Sequence, residues 1–313
     1  MFDNNKIDKK IYSELMTELK LLNTEYRKLR KSKEYKSGKA VWMTLQSVKK
    51  LKISAARKQY IRWRQGVKAK KYATVVHNDF KAFEPDYFLN DRVAVYTVVF
   101  GNVDNILEPY CSPDNIDYYL ITDQDIDLSK SKWNKVDISS FEDELKNMTN
   151  VQKNRFFKMK PYIVFPEYKY SIYIDGNIQV ITDLTEYINR ISSKCGLAAH
   201  FHSSRDCVYE ESKAIIFAKK ETKENMQMHL KHLEENGFPK HYGMLECNVL
   251  ARVHNDFCKK IMEEWFSEFM SYSKRDQISL PFVLYNNHIP ISEVATLGIN
   301  VHENPSFRVL THN

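Results

Sequence analysis

The stretch Tyr170-Ser-Ile-Tyr-Ile-Asp-Gly-Asn-Ile-Gln179 decides the fold of this chain. Residues 171–174 are largely apolar and predict a short buried strand that ends abruptly in Asp-Gly-Asn. Because side chains alternate along an extended segment, the oxygens of Asp175 and Asn177 can converge on one ligand, and Gly176 lets that ligand approach the backbone. Two such oxygens suit Mg²⁺ or Mn²⁺, and open α/β sheets bind ligands at this end of their strands. The alternative is a plain turn, which the same three residues favour.

Two segments upstream predict parallel strands of the same sheet. Residues 92–100 form an apolar, β-branched run that is closed by Gly101, and residues 116–123 form a second run that ends in Thr-Asp. The spacing between them leaves room for a crossover helix. A buried first strand followed by a glycine turn is how nucleotide-binding α/β domains begin, although a simple core strand has the same pattern. The fold class predicted is therefore α/β.

Charge divides the chain into two parts. Of its 313 residues, the first 72 hold 21 lysine and arginine residues against 6 aspartate and glutamate residues, and the remainder holds 26 against 34. A split this sharp indicates two different roles. We expect a basic helical arm over residues 1–75, a linker over residues 76–90 and the main domain over residues 91–313.

The arm contains a clear helical pattern. Apolar side chains recur every three or four positions over residues 7–31 and predict an amphipathic helix, with a short coiled-coil seam from Leu15 to Leu29. Similar spacing over residues 41–63 predicts further helix. Such an arm can lie on an anionic membrane surface, associate with a second copy, or pack back on its own domain. Nucleic acid is not expected as a partner, because no nucleic-acid-binding motif is present and the rest of the chain is acidic.

The cysteines and the apolar runs bear on location. The five cysteines include no Cys-x-x-Cys pair, and we expect reduced thiols instead of a disulfide framework or a zinc site. No apolar run reaches the ~18 residues that span a bilayer, and the first residues do not have the layout of a signal peptide. The expected location is cytoplasmic, with peripheral contact at the inner face of the membrane through the basic arm as a further possibility.

Several motifs follow one another in an order that resembles a known family. They are Tyr96-Thr97 with Phe100-Gly101, Thr122-Asp123, Arg155 with Lys158, and Tyr173-Ile-Asp-Gly-Asn177. This order resembles the DUF616 (TOD1/MUCI70) family of glycosyltransferase-like proteins, with a more distant similarity to the GT8 transferases. The resemblance implies a GT-A-like, Rossmann-type nucleotide-sugar-binding domain with a mixed central sheet, behind the basic helical arm.

The resemblance also implies roles for individual residues. Those that would bind the nucleotide sugar, from the nucleoside to the diphosphate and the donor sugar, are Thr97, Phe100, Gly101, Asp123, Arg155, Lys158, Asp175, Gly176, Asn177 and Asn248. Candidates for catalysis beside the reacting sugar are Asp276, Gln277 and Glu246. The usual GT-A signature is Asp-x-Asp, so Asn177 in the place of the second carboxylate weakens the expected affinity for metal.

Two further sets complete the predicted site. A polar stretch after residue 199 resembles a family segment and would bind the acceptor or the sugar through His200, Arg205, Tyr209 and Glu210; an exposed charged loop is the alternative. The metal, Mn²⁺ or Mg²⁺, would be held by Asp175, Asn177 and a C-terminal histidine, for which His312 is favoured over His302.

The function that the resemblance implies is transfer of a hexose from a nucleotide-diphosphate sugar, most simply a UDP-sugar, to a glycan acceptor such as a bacterial capsule or cell-surface polysaccharide. The similarity to GT8 points to retention of anomeric configuration. Two alternatives remain open at this stage. One is a phosphohydrolase that uses Asp175 as its nucleophile. The other is a non-catalytic protein that docks on membranes or partners and carries a degenerate sugar-binding domain.

Overall fold

The computed structural model describes residues 9–39, 42, 91–101 and 106–310. The helical patterns predicted for residues 41–63, apart from residue 42, and the predicted linker at residues 76–90 lie outside this part of the chain.

The core is a six-stranded mixed sheet in the order β3-β2-β1-β4-β7-β6, with a separate two-stranded sheet of β5 and β8. The strands are β1 (Val93–Val99), β2 (Ile116–Thr122), β3 (Trp133–Lys135), β4 (Tyr170–Ile174), β5 (Ile178–Val180), β6 (Leu197–Phe201), β7 (Leu245–Val253) and β8 (Phe307–Val309). Strands β1 to β4 are parallel to one another, whereas β7 runs antiparallel to both β4 and β6. The α/β class and the mixed central sheet predicted from the sequence are confirmed.

The described part of the chain also contains helices. They are α1 (Lys9–Lys31), α2 (Glu142–Leu145), α3 (Asn150–Met159), α4 (Pro161–Val164), α5 (Val208–Phe217), α6 (Lys223–Glu235), α7 (Asp256–Ser271) and α8 (Asp276–Asn286). Helices α3, α7 and α8 pack over strands β1, β4 and β7. The cleft described below opens between these helices and the sheet.

The strand predictions hold because the central strands are enclosed on both faces. All seven residues of β1 are buried, as the continuous apolar run of a central parallel strand requires. Strand β4 pairs with β1 in register from Tyr170 to Ile174. The crossover helix that the spacing allowed between β1 and β2 is not seen in residues 106–115, which form turns and extended chain.

The first helix packs on the main domain. Tyr12 donates a hydrogen bond to Asp183 at 2.7 Å, and Lys20 forms an ion pair with Glu186 at 2.6 Å. The buried amide of Asn23 donates to two carbonyls of the C-terminal segment, those of Pro305 (2.7 Å) and Phe307 (2.9 Å). Of the alternatives for the arm, packing on its own domain is therefore observed for this helix.

The face that docks is not the one that the leucine pattern marks. Leu15, Leu22 and Leu29 remain 49%, 64% and 60% exposed, whereas Met16 and Asn23 are buried. The leucine seam lies about 100° around the helix from the docked residues, because each residue turns the helix by about 100°. The domain offers α1 buried carbonyls and carboxylates, and polar side chains satisfy these groups where leucine cannot.

The cysteine prediction is also confirmed. All five cysteines are free thiols, and four of them are buried. None of the helices in the described part of the chain is long and apolar enough to cross a bilayer.

Candidate active site

A cleft of about 740 Å³ lies at the carboxyl ends of β1 and β4. Strand β7 runs the other way, so its beginning lies beside the end of β4 and contributes to the same cleft. Of the predicted nucleotide-sugar and catalytic residues, the cleft is lined by Phe100, Arg155, Lys158, Asp175, Gly176, Asn177, Glu246, Asn248, Asp276 and Gln277. Residues more than a hundred positions apart in sequence thus meet where α/β sheets bind ligands.

The Asp-Gly-Asn segment is held from both sides. Asp175 donates its backbone N–H to the Asn248 carbonyl (2.9 Å), and its carboxylate accepts a hydrogen bond from the Tyr173 hydroxyl (2.8 Å). The Asn177 side chain donates from Nδ2 to the Leu310 carbonyl (2.9 Å). This bond fixes the orientation of the amide and leaves Asn177 Oδ1 as the atom that can accept or coordinate.

A buried ionic cluster forms the opposite wall. Asp276 Oδ2 lies 2.6 Å from Lys158 Nζ and 2.8 Å from Arg155 Nε, and Lys158 Nζ is also 3.8 Å from Asp175. Burial by itself raises the pKa of Asp276, but the cations of Arg155 and Lys158 outweigh it and hold the pKa well below its usual range. Asp276 is therefore an ionised anchor for two cations.

The sequence explains why the two cations point the same way. Helix α3 begins at a capping box formed by Thr149 and Gln152, and residues three apart on a helix share a face, as Arg155 and Lys158 do. At the end of α3, the Lys158 carbonyl accepts hydrogen bonds from the Tyr96 hydroxyl (2.9 Å) and the buried Arg252 guanidinium. The tyrosine of the Tyr-Thr motif in β1 thus positions Lys158.

Glu246 and Asn248 act as a pair. The Glu246 carboxylate accepts hydrogen bonds from the backbone N–H groups of Ser203 (3.3 Å) and Val301 (3.1 Å) and from Asn248 Nδ2 (3.2 Å). With both oxygens engaged, Glu246 is suited to positioning. Asn248 Oδ1 is buried and has no hydrogen-bond partner in the described part of the chain, so it is the acceptor that this pair offers to a ligand.

A second cavity of about 780 Å³ adjoins the cleft at Phe100, which lines both. Asp123 lines this cavity and accepts a hydrogen bond from the backbone N–H of Gly101 (2.9 Å). Gly101 has φ of +71°, a conformation that glycine adopts without strain. Thr97 is buried in β1 and lines neither cavity.

The four residues predicted to bind acceptor or sugar line neither cavity. Tyr209 donates to the Phe238 carbonyl (2.7 Å), Arg205 pairs with Glu211, and Glu210 is half-buried on α5. His200 is fully buried and shares a hydrogen bond with Asn304 (3.0 Å). Burial, followed by the charge of Arg190, lowers the pKa of His200 to about 3. Tyr209, Arg205 and His200 thus make internal contacts, whereas Glu210 Oε2 is buried without a hydrogen-bond partner in the described part of the chain.

The structure describes two of the three predicted metal ligands, Asp175 and Asn177, and both line the cleft. His312 lies outside the described residues, while His302, the alternative, lines the cleft. Among the described residues, no group of three or more His, Cys, Asp or Glu side chains could hold a metal ion. The cleft is lined by one carboxylate of the predicted metal site, that of Asp175, and by the amide side chains of Asn177 and Asn248. Hard oxygen donors in this number fit a divalent cation that takes its remaining ligands from water and phosphate.

The sequence reasoning missed two cations of the cleft, Lys220 and Arg275. Arg275 directly precedes the Asp-Gln pair, and its position there was a usable signal. No sequence signal marked Lys220, because it follows a helix in a lysine-rich segment that contains no recognisable motif.

Fold and site define an α/β domain with an ionic, ligand-sized cleft at the carboxyl edge of parallel strands. The sequence profile of the family described as "TOD1/MUCI70, glycosyltransferase-like domain" matches residues 30–312. The chain belongs to this family, and the family resemblance read from the motifs is confirmed. No curated protein matches the chain in sequence.

Solved glycosyltransferase structures are similar to the chain at low identity. The bifunctional glycosyltransferase WbbM has 11% identity and a TM-score of 0.42, over 69% of this chain and 40% of WbbM. The galactosyltransferase LgtC, solved with donor and acceptor sugar analogues, has 10% identity and a TM-score of 0.36, over 62% of this chain and 70% of LgtC. Mouse xyloside xylosyltransferase 1 has 8% identity and a TM-score of 0.39, over 65% of this chain and 83% of that protein. This chain thus spans well under half of the length of WbbM.

Proposed function

We propose that the cleft binds a nucleotide-diphosphate sugar and transfers the sugar to a glycan acceptor. The observation that carries this proposal is the meeting of Arg155 and Lys158 with Asp175 and Asn177 at the carboxyl end of β4. Two cations held in a partly closed cleft stabilise the negative charge that develops on a leaving diphosphate. Membership of a glycosyltransferase-like family supports the same reaction.

In this proposal the donor lies along the edge of the sheet. The nucleoside occupies the cavity beside Phe100 and Asp123, and the diphosphate reaches the cations of α3. Asn248 Oδ1 accepts a hydrogen bond from a sugar hydroxyl or contributes to a metal site. Asp276 pairs with Arg155 and Lys158 and holds both side chains in place, and the Gln277 side chain lines the cleft beside them.

A divalent cation, Mn²⁺ or Mg²⁺, would be held by Asp175 and Asn177. When bound, such an ion neutralises the diphosphate as a Lewis acid. Lys158 lies 3.8 Å from the Asp175 carboxylate and supplies positive charge at the same place. The protein therefore offers part of this neutralisation from its own side chains.

The donor, the acceptor, the stereochemistry and the location are also proposed. A UDP-sugar donor, a capsule or cell-surface polysaccharide acceptor, and retention of configuration follow from the order of the motifs, which resembles that of the family and of GT8. A cytoplasmic location is supported by five free thiols, as a reducing compartment maintains them. Contact with a membrane or a second copy would use the exposed leucines of α1.

The test is binding of UDP, GDP, CDP and ADP to the full chain, with and without Mn²⁺, followed by transfer from the matching nucleotide sugars. We expect one diphosphate to raise the melting temperature, because a ligand that binds the folded state stabilises it by mass action. A Lys158→Met variant should lose at least about tenfold in affinity, or about 1.4 kcal/mol. Failure of every diphosphate to bind would overturn the proposal.

A further inference from the structure

Lys220 and Arg275 form a second cationic pair in the cleft, distinct from the cations of α3. Arg155 and Lys158 share the Asp276 carboxylate, but neither Lys220 nor Arg275 forms a salt bridge within the described part of the chain. Arg275 Nε is buried there without a hydrogen-bond partner. A buried guanidinium N–H without a partner costs free energy, so its place in a ligand cleft calls for an acceptor from outside the chain.

The two cations are close enough to act on each other. Although Lys220 as a whole residue is exposed at the rim, desolvation of its ammonium group lowers the pKa, and the charge of Arg275 lowers it further. Glu211 acts on Lys220 in the opposite sense, but its carboxylate is engaged by Arg205. Like charges in proximity repel, and a bound anion between them would relieve the repulsion.

The backbone before Lys220 is held in an unusual conformation. Helix α5 ends with hydrogen bonds from Lys220 N to the Ile215 carbonyl (3.1 Å) and from Lys219 N to the Ile216 carbonyl (3.0 Å), the pattern of a Schellman motif. This motif places Lys219 at φ of +54°, where glycine is the usual residue. The helix thus ends shortly before Lys220, which lines the cleft.

The pair lies away from the nucleoside side. Arg275 immediately precedes α8 and Lys220 follows α5, and these two helices pack on each other beyond β7. The nucleoside cavity lies beside β1 and β2, on the other side of β4 in the sheet order. An anion between Lys220 and Arg275 is therefore not part of the nucleoside, and the exposed rim is where an acceptor enters.

We propose that Lys220 and Arg275 bind an acidic group, a carboxylate or a phosphate, on the acceptor saccharide. This rests on the proposed transfer reaction and names the class of its acceptor. Arginine binds such groups in a bidentate manner through its planar fork, and lysine adds a point charge. Glu211 acts on Lys220, and Asp276 and Glu221 lie within reach of the Arg275 charge, but a neutral saccharide would bring no negative charge of its own to the pair.

The experiment measures direct binding to the full chain by ligand-observed NMR. The probes are methyl β-glucuronide and glucose 6-phosphate, with methyl β-glucoside as the neutral match, each with and without UDP. The variants are Lys220→Gln and Arg275→Gln. The matched control is Lys213→Gln, which removes a charge from an exposed position outside the cleft, on helix α5 shortly before Lys220. Melting temperatures verify that each variant folds.

We expect at least one acidic probe to bind at least about tenfold more tightly than the glucoside, as a charge-assisted pair of contacts provides. Each cleft variant should reduce that ratio at least about threefold, or about 0.7 kcal/mol, while the control retains it. UDP affinity should stay within about twofold of the wild type in the Lys220 variant, because the pair lies away from the nucleoside.

A ratio near one in the wild-type chain would overturn the proposal. An equal loss of UDP and glucuronide affinity in both cleft variants would also overturn it, because the cations would then serve the donor diphosphate. A third outcome would also contradict the proposal: the free acidic probes do not bind, but UDP-glucuronate binds more tightly than UDP-glucose. The two cations would then bind an acidic group on the donor sugar and not on the acceptor. If none of the four nucleoside diphosphates binds, the proposed transfer reaction is wrong, yet the ratio of acidic to neutral probe still decides this inference by itself.

Discussion

Lys158 and Asp276, 118 positions apart in sequence, meet at 2.6 Å in the interior of the cleft. Both side chains are almost fully buried, with exposures of 1% and 4%. Two charges removed from water stabilise a fold only when each has its partner, and loss of either one leaves an uncompensated buried charge. This pair therefore links the stability of the domain to the electrostatics of its site.

Replacement of Lys158 with methionine should weaken the fold and diphosphate binding together. Asp276 would keep Arg155, so we expect the free energy of unfolding to fall by about 3 kcal/mol, at the lower end for a broken buried pair. Urea unfolding followed by fluorescence measures this change. The matched control is Lys231→Met, which breaks an exposed pair with Glu235 at 3.6 Å and should cost less than about 1 kcal/mol. Equal losses in the two variants would contradict the assignment of Lys158.

Replacement of Asn177 with aspartate tests whether the side chain at this position serves metal binding or the hydrogen bond to the Leu310 carbonyl. The motif alone predicts stronger metal binding, because the Asp-x-Asp pattern is restored. The structure adds that the new carboxylate could not donate to the Leu310 carbonyl, a bond that Asn177 Nδ2 makes at 2.9 Å. We expect a loss of about 1–3 kcal/mol in metal-free buffer and its partial recovery with Mn²⁺, measured by urea unfolding. A variant as stable as the parent without metal would show that the bond to Leu310 contributes little.

Replacement of Asn23 with alanine tests the docking of α1. The change leaves the carbonyls of Pro305 and Phe307 without their donor, and we expect a cost of about 1–3 kcal/mol. Faster hydrogen exchange should appear in residues 302–310, the segment that carries His302 into the cleft. Thr17→Ala is the control, since the Thr17 hydroxyl donates within α1, to the Ser13 carbonyl at 2.9 Å, and not to the C-terminal segment as far as the structure describes the chain. Unchanged exchange in the segment would mean that α1 does not hold it.

The buried His200 and the half-buried His254 predict a loss of stability in acid. Burial, with a contribution from Arg190, lowers the pKa of His200 to about 3, and burial with Arg252 lowers that of His254 to about 4. Each pKa is depressed in the folded state, so the unfolded chain binds more protons below its own value of about 6.5. Stability is thus complete above that pH and falls as pH decreases towards 4.

The expected slope is up to about 1.4 kcal/mol per pH unit for each histidine. It is measured by urea unfolding between pH 7.5 and 4.5, in steps of about half a unit, with the unfolding free energy expected to rise with pH. His200→Asn should reduce the slope by the contribution of one histidine. His288→Asn is the control: it removes a histidine from an exposed position and should leave the slope unchanged. A wild-type slope near zero in this range would contradict the prediction.

The sequence by itself determined the local elements and the edge at which the site lies. Strand β1 was predictable from its unbroken apolar run, and α1 from its three-to-four spacing, because these periods are set by the geometry of a few neighbouring residues. Asp175 and Asn177 could be placed at the end of β4 for the same reason. The order of motifs gave the family without any knowledge of contacts.

Only the tertiary structure decided which side chains face the cleft. The antiparallel direction of β7 brings Asn248 beside Asp175, and the approach of α8 to α3 buries Asp276 between two cations. Tertiary packing also buries His200, and the docking of α1 through Met16 and Asn23 leaves its leucines exposed. Burial, pairing and desolvation depend on segments far apart in the chain, and residue type and spacing do not encode them.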